Sequence, residues 1–279
     1  MGRGEGDNAG DDAVSPRSKA DPEVKIAPHD ETSRKLWKTI FSIAEQLNGE
    51  WTLVGGLMVQ LHAYANSVDV RTTNVRTTTD VDILVRTTTD IDILANNRTV
   101  PSSTEEISRS LTQLGFTQLP PTSVIRPDVA FVYERDDQQV DVLAPDGVDE
   151  SKPKTSDGKR TVPIPGGTQA LKRSIPMRVV MDDGSRATVR VPTLLGAILI
   201  KARALPVHDD PEAQRQDLVS LLSYVKDPLE IRGELSKAEA KWLRTIEDQL
   251  NLDDPLLARI VPAADVARAK ATFQLLISS

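Results

Sequence analysis

Large apolar residues are almost absent from residues 1–30, where Gly, Asp, Pro and Ser dominate. Such a segment cannot bury enough surface to offset its ordering entropy, so a disordered tail is expected there. Helical spacing then begins. Leu36, Ile40, Ile43, Ala44 and Leu47 recur on one face, Thr32 or Ser33 can cap the start, and Gly49 follows the end. Trp51, Thr52, Leu53 and Val54 read as a short strand running into Gly55 and Gly56, after which Leu57, Met58, Leu61 and Ala65 restart a helical pattern. The two glycines therefore stand at a strand-to-helix turn.

A duplicated segment comes next: VRTTTDVDIL at residues 75–84 and VRTTTDIDIL at 85–94, after a partial copy, VRTTN, at 70–74. The period is far shorter than that of solenoid repeats and marks a local duplication. Ser102 and Ser103 lie three residues before Glu105 and Glu106, a capping-box pattern opening a helix through Leu114 that stops at Gly115. Residues 128–134 and 139–144 read as strands joined by the polar turn 135–138, and residues 177–182 and 186–191 as a second hairpin around Asp183 and Gly184. From Thr193 onward the pattern is helical: LLGAILIKARAL, PEAQRQDLVSLLSYV, then KAEAKWLRTIEDQL with Ser236 and Glu239 as its cap, and ADVARAKATFQLL. This alternation points to an α/β or α+β fold, with a helical lobe over residues 193–279.

Composition narrows the chemistry. A chain of 279 residues can form one large domain or two smaller ones. Charged residues make up 27% and apolar residues 39%, and no apolar run approaches the ~20 residues that cross a membrane, so a soluble protein is expected. The start, MGRGEGDNAGDD, lacks the basic and apolar parts of a secretory signal, and there is no cysteine, which favours a cytoplasmic setting. With no thiolate and only His29, His62 and His208, any metal should be a hard, oxygen-bound cation, for which Mg²⁺ is the natural candidate. His62 fits a packed helix residue better than a ligand. The net charge of −7 argues against a surface that coats nucleic acid, although residues 151–190 are locally basic.

The acidic residues carry the chemistry. In a strand, side chains two apart share a face, so Asp80 and Asp82 would point one way while Val81 and Ile83 point into the core. Asp90 and Asp92 repeat that geometry around Ile91. Asp141, between Val140 and Val142, projects likewise from a further strand. Carboxylates gathered beside an apolar sheet repel one another, and a divalent cation relieves the repulsion. Backbone N–H groups at Gly55 and Gly56 can approach a phosphate, because no Cβ blocks them and the helix dipole favours anions.

In this combination the sequence resembles the nucleotidyltransferase superfamily, through LVGGLMVQLHA, RTTTDVDIL or RTTTDIDIL, and QVDVLAP. Within it the sequence is similar to the AbiEii/AbiGii-type, MenT-like bacterial toxins, because LLGAILIKARAL followed by QRQDLVSLL looks like their helical lobe. The likeness spans roughly residues 51–224. It implies an α+β fold with a mixed-sheet catalytic lobe over residues 31–192, followed by the helical lobe. It also implies Mg²⁺-dependent transfer of a nucleotide from an NTP to an acceptor hydroxyl, on RNA such as tRNA or on a protein, with a cognate antitoxin as partner. The aspartates would hold the metal and Asp141 would also take the hydroxyl proton. Gly55, Gly56, Lys201 and Asp217 would serve the nucleotide, with Arg71, Arg76 or Arg86 as further phosphate ligands. The plainer reading of Lys201 and Asp217 is a surface ion pair. A small-molecule nucleotidyltransferase and a non-catalytic nucleotide-binding protein are the alternatives. One strand running from Asp80 to Leu94 would span about 50 Å, longer than an ordinary strand, so one copy should be looped out. The short link from the Gly-Gly helix to D-x-D that the family shows favours Asp80 and Asp82, whereas its direct passage from that strand into a helix favours Asp90 and Asp92; the segment ANNRTVPSSTEEI, directly after the second copy, tips the choice slightly to Asp90 and Asp92.

Overall fold

The computed structural model describes residues 22–28, 30–47, 51–71, 88–121, 126–149, 151–257 and 261–278. In chain order its first elements are β1 (Glu23–Ile26), α1 (Glu31–Gln46), β2 (Trp51–Val54), α2 (Gly55–Arg71), β3 (Asp90–Ala95) and α3 (Ser103–Gln113). Next come β4 (Thr117–Gln118), β5 (Val132–Arg135), β6 (Gln138–Pro145), β7 (Val162–Ile164), α4 (Gly167–Lys172), β8 (Ser174–Met181) and β9 (Arg186–Pro192). The chain then turns helical through α5 (Leu194–Ala204), α6 (Pro211–Ser223), α7 (Pro228–Glu234), α8 (Lys237–Thr245), α9 (Glu247–Leu250) and α10 (Ala263–Ile277).

Among the described residues the strands form a six-stranded sheet, in order β2-β3-β6-β5-β4 with β7 beside β6, and a three-stranded sheet, β1-β8-β9. The fold is thus α+β with mixed sheets. In the larger sheet β2 runs antiparallel to β3, and β3 runs parallel to β6, so β3 is an interior strand. Its sequence explains that place. Ile91 and Ile93 are fully buried on one face, while Asp90 and Asp92 are half-buried on the other. β6 repeats the arrangement, with Val140 and Val142 buried around a half-buried Asp141. Both hairpins form. β5 and β6 turn at Asp136, which takes a φ of 54°, and β8 and β9 turn at Gly184, with a φ of 84° that suits glycine.

The helical segment is not a separate globule. α5 buries Leu195, Ala197, Ile198 and Leu199, and α10 packs on α6 while burying Ala269, Phe273 and Leu276. Since α2 packs against both α5 and α6, one apolar core runs from Val24 to Leu276. The division at residues 192–193 marks a change of secondary structure and not of core.

Three expectations are corrected. The disorder expected over residues 1–30 does not hold at residues 23–26, because Val24 and Ile26 bury one side of β1, which pairs parallel to β8; the alternation is too short to stand out from its surroundings. The cap of α1 is Asp30, whose carboxylate accepts from the Ser33 N–H at 2.7 Å, and not Thr32 or Ser33. At α3 the Ser102 side chain makes no cap bond to the backbone; its hydroxyl donates to Glu106 at 2.6 Å. The Ser236 and Glu239 capping box of α8 forms as expected.

Candidate metal centre

The pairing registers bring the acidic residues together. Asp92 lies directly beside Asp141 in the β3–β6 ladder, and one oxygen from each of Asp90, Asp92 and Asp141 lies within 4.8 Å of the others. These three carboxylates form a group that can hold a metal ion. Burial pushes the Asp141 carboxyl up to about 6, and the neighbouring Asp90 charge adds to the rise, against a Gln139 hydrogen bond that lowers it. Among the described residues no ion pair reaches Asp90 or Asp141. The side chains that donate to them are neutral: the Thr88 hydroxyl donates to Asp90 at 2.5 Å and the Gln139 amide to Asp141 at 2.9 Å.

The β2–β3 register also sets the glycine turn. Val54 faces Asp92, so the next residue, Gly55, begins α2 against that carboxylate. A Cβ at Gly55 would stand 1.7 Å from Asp92 Oδ2, and the residue has a φ of +66°. Space and backbone conformation both demand glycine there. A Cβ at Gly56 would stand 2.7 Å from the Thr88 Cβ. The two glycines therefore seat the acidic strand as well as opening the helix.

The donor set suits a hard cation. Carboxylate oxygens from two adjacent strands, half-buried and crowded, offer what Mg²⁺ binds, and no described thiol or imidazole joins them.

Lys201 and Asp217 are brought together, though elsewhere in the fold and not at the surface. Lys201 Nζ lies 2.8 Å from Asp217 Oδ2 and donates to Gln214 Oε1 at 3.1 Å, with both charged side chains at most 5% exposed. Their expected pairing is present, in the interior between α5 and α6. His62 is buried on α2 and donates from Nε2 to the Pro192 carbonyl at 3.0 Å, a packed residue as expected. Asp80, Asp82, Arg76, Arg86 and His29 lie outside the described residues, as does the Arg71 side chain. The second copy of the duplicated segment is the one that forms β3.

Four of the nine basic residues of the stretch 151–190 are ion-paired. Arg160 pairs with Asp128, Arg173 with Glu239, Arg178 with Glu23, and Lys152 with Asp149, on separate loops, strands and helices. Thr88 and Gln139 were not singled out by sequence. The signal was there: each is polar and stands two residues before an aspartate, hence toward the same side.

No family model matches the chain, and no curated protein matches it. Among solved structures the chain is similar to the crystal structure of an antigenic nucleotidyltransferase-like protein from Paracoccidioides brasiliensis. The TM-score is 0.43 at 11% identity, over 80% of this chain and 92% of that one. So distant a likeness carries no argument about activity, which this chain's own residues must supply.

Proposed function

We propose that the chain is a Mg²⁺-dependent nucleotidyltransferase that moves a nucleotide from an NTP to an acceptor hydroxyl. The observation that carries this reading is the meeting of Asp90, Asp92 and Asp141 on parallel neighbouring strands, with the Gly55 turn against Asp92. Asp90, Asp92 and Asp141 would hold the metal. Bound there, a divalent cation would supply charge neutralisation for the phosphates and for the oxygen that attacks. In the transfer, the acceptor hydroxyl oxygen bonds to the α-phosphorus, the bond to the pyrophosphate oxygen breaks, and the hydroxyl proton passes to the Asp141 carboxylate. The N–H groups at the start of α2 would receive the phosphates. Lys201 and Asp217, paired in the helical lobe, are proposed to serve the nucleotide.

For the acceptor, RNA such as tRNA or a protein is proposed, in a toxin-like role with a cognate antitoxin; the sequence resemblance supports this. A small-molecule acceptor gains from one observation: four of the nine basic residues of positions 151–190 are ion-paired within the chain, on separate elements. The test is incubation of the full chain with each labelled NTP, Mg²⁺ and total RNA. Label entering RNA or the protein itself, and lost in Asp92→Asn, is the expected result. NTP binding without transfer to any acceptor would overturn the enzyme reading in favour of a nucleotide-binding protein.

A further inference from the structure

Thr88 and Gln139 have the same relation to two different carboxylates. Thr88 Oγ1 donates to Asp90 Oδ1 and Gln139 Nε2 to Asp141 Oδ1, in each case across two residues of the chain. Each bond fixes one oxygen, and each carboxylate keeps a second oxygen for another ligand. A hydroxyl or amide donor orients a carboxylate without cancelling its charge, whereas Lys or Arg would do both. Negative charge held in place is what a divalent cation needs from its ligands.

Thr88 in turn depends on Gly56. It is 5% exposed, and a Cβ at Gly56 would lie 2.7 Å from its Cβ and 2.9 Å from its hydroxyl oxygen. Any larger residue at position 56 must displace the hydroxyl that holds Asp90. No positive φ is involved at Gly56, so the requirement there is one of space alone.

We infer that Thr88 and Gln139 are positioning residues, which fix Asp90 and Asp141 for a divalent cation, and that Gly56 acts on the centre through Thr88. The inference rests on the metal-centre reading above and extends it to residues that act on the centre through its carboxylates. It gives the second glycine a role distinct from phosphate binding. Gly55 makes room for Asp92, and Gly56 makes room for the donor to Asp90.

The experiment is a Mn²⁺ titration of the full-length protein, with free Mn²⁺ read by electron paramagnetic resonance and no nucleotide present. Thr88→Val keeps the shape of the side chain and removes its hydroxyl; Gln139→Met does the same for the amide. Each should weaken Mn²⁺ binding by about tenfold or more, while the metal-free melting curve stays cooperative. Thr88→Ser should restore wild-type affinity. Gly56→Ala should weaken binding as Thr88→Val does, and the double variant should be no weaker than either single, because both act on one hydrogen bond. A wild-type protein that binds Mn²⁺ alongside Thr88→Val and Gln139→Met variants that bind it equally well would overturn the inference and leave the metal centre standing. A Thr88→Ser variant as weak as Thr88→Val would remove Thr88 from it. If Thr88→Val does not fold, Gln139→Met decides the point from the other strand. A wild-type protein that binds no Mn²⁺ would overturn the metal centre and this inference with it.

Discussion

Two of the places among the described residues where carboxylate is shielded from solvent are answered in opposite ways. Between α5 and α6, Asp217 has Lys201 at 2.8 Å and Gln214 completing the cluster, so the charge is answered from within the chain. On the β3–β6 face, three carboxylates crowd together, and the described partners of Asp90 and Asp141 are neutral. At Asp90 and Asp141 the described donors are a hydroxyl and an amide, which orient a carboxylate without cancelling its charge. The difference teaches that one buried carboxylate is balanced by a cation of the chain, while the carboxylates at Asp90 and Asp141 are held by neutral donors and so suit the ion proposed above.

The sharpest way to break this contrast is to neutralise one member of the acidic group. Asp92→Asn or Asp141→Asn should lower transfer by about 10³-fold, the scale seen when a group stabilising transition-state charge is removed. For Asp141→Asn metal-free melting should be unchanged or raised, since a buried charge beside Asp90 has gone. The paired variant Asp80→Asn with Asp82→Asn should keep its activity, because the strand slot between β2 and β6 is filled by the second copy. Loss of transfer in that pair, with retention in Asp90→Asn, would reverse the assignment.

The helical pair should respond in the opposite way. Lys201→Met leaves Asp217 buried without its cation, which typically costs about 3–5 kcal/mol, read as a lowered melting temperature. Adding Asp217→Leu should restore most of that stability, because an apolar pair of similar size replaces a buried ion pair at little cost. Transfer measured in the stable double variant then separates two roles. Full activity would make the pair purely structural, and lost activity with restored melting would support its part in nucleotide binding.

A smaller effect reads the same contrast without substitution. Mg²⁺ should raise the melting temperature of the wild type. At a concentration 100 times Kd the gain is about 2.7 kcal/mol, and for a chain of this length each kcal/mol moves the midpoint by about 2–4 °C. Asp141→Asn should lose that rise, whereas the Lys201/Asp217 double variant should keep it. A shift that survives Asp141→Asn would place the ion elsewhere.

Much of this is legible in the sequence, and the misses have physical reasons. Asp flanked by β-branched residues reads plainly, because period-2 alternation is a local property; hence β3, β6 and the convergence of Asp90, Asp92 and Asp141 can be read from it. Which copy occupies the sheet cannot be read from periodicity, since a shift of ten residues preserves the face of every side chain. β1 escapes a sequence reading because its strand is made by a parallel pairing with β8, far along the chain. Lys201 and Asp217 are legible as partners, but their burial depends on the packing of α5 and α6 with helices distant in sequence, which no local pattern encodes.

A third answer to burial is a group kept neutral. His62 is buried against Pro192 at the junction of the sheets with α5, and burial lowers its value to about 4 despite the backbone hydrogen bond that raises it. An unfolded histidine titrates near 6.5, so above that pH neither state carries the proton and the contribution to stability is complete. As pH falls from 6.5 toward 4 the unfolded chain binds a proton that the folded chain refuses, and stability drops by up to about 3 kcal/mol. Asp141 carries the opposite sign, because a raised carboxyl binds its proton in the folded state first. Comparing wild type with His62→Gln at each pH cancels that term, since both proteins share the acidic group. The stability advantage of wild type over His62→Gln should therefore shrink steadily between pH 6.5 and 4 in chemical denaturation. Curves that stay parallel across that window would show that His62 is not held neutral, and would trace acid sensitivity to groups outside the junction.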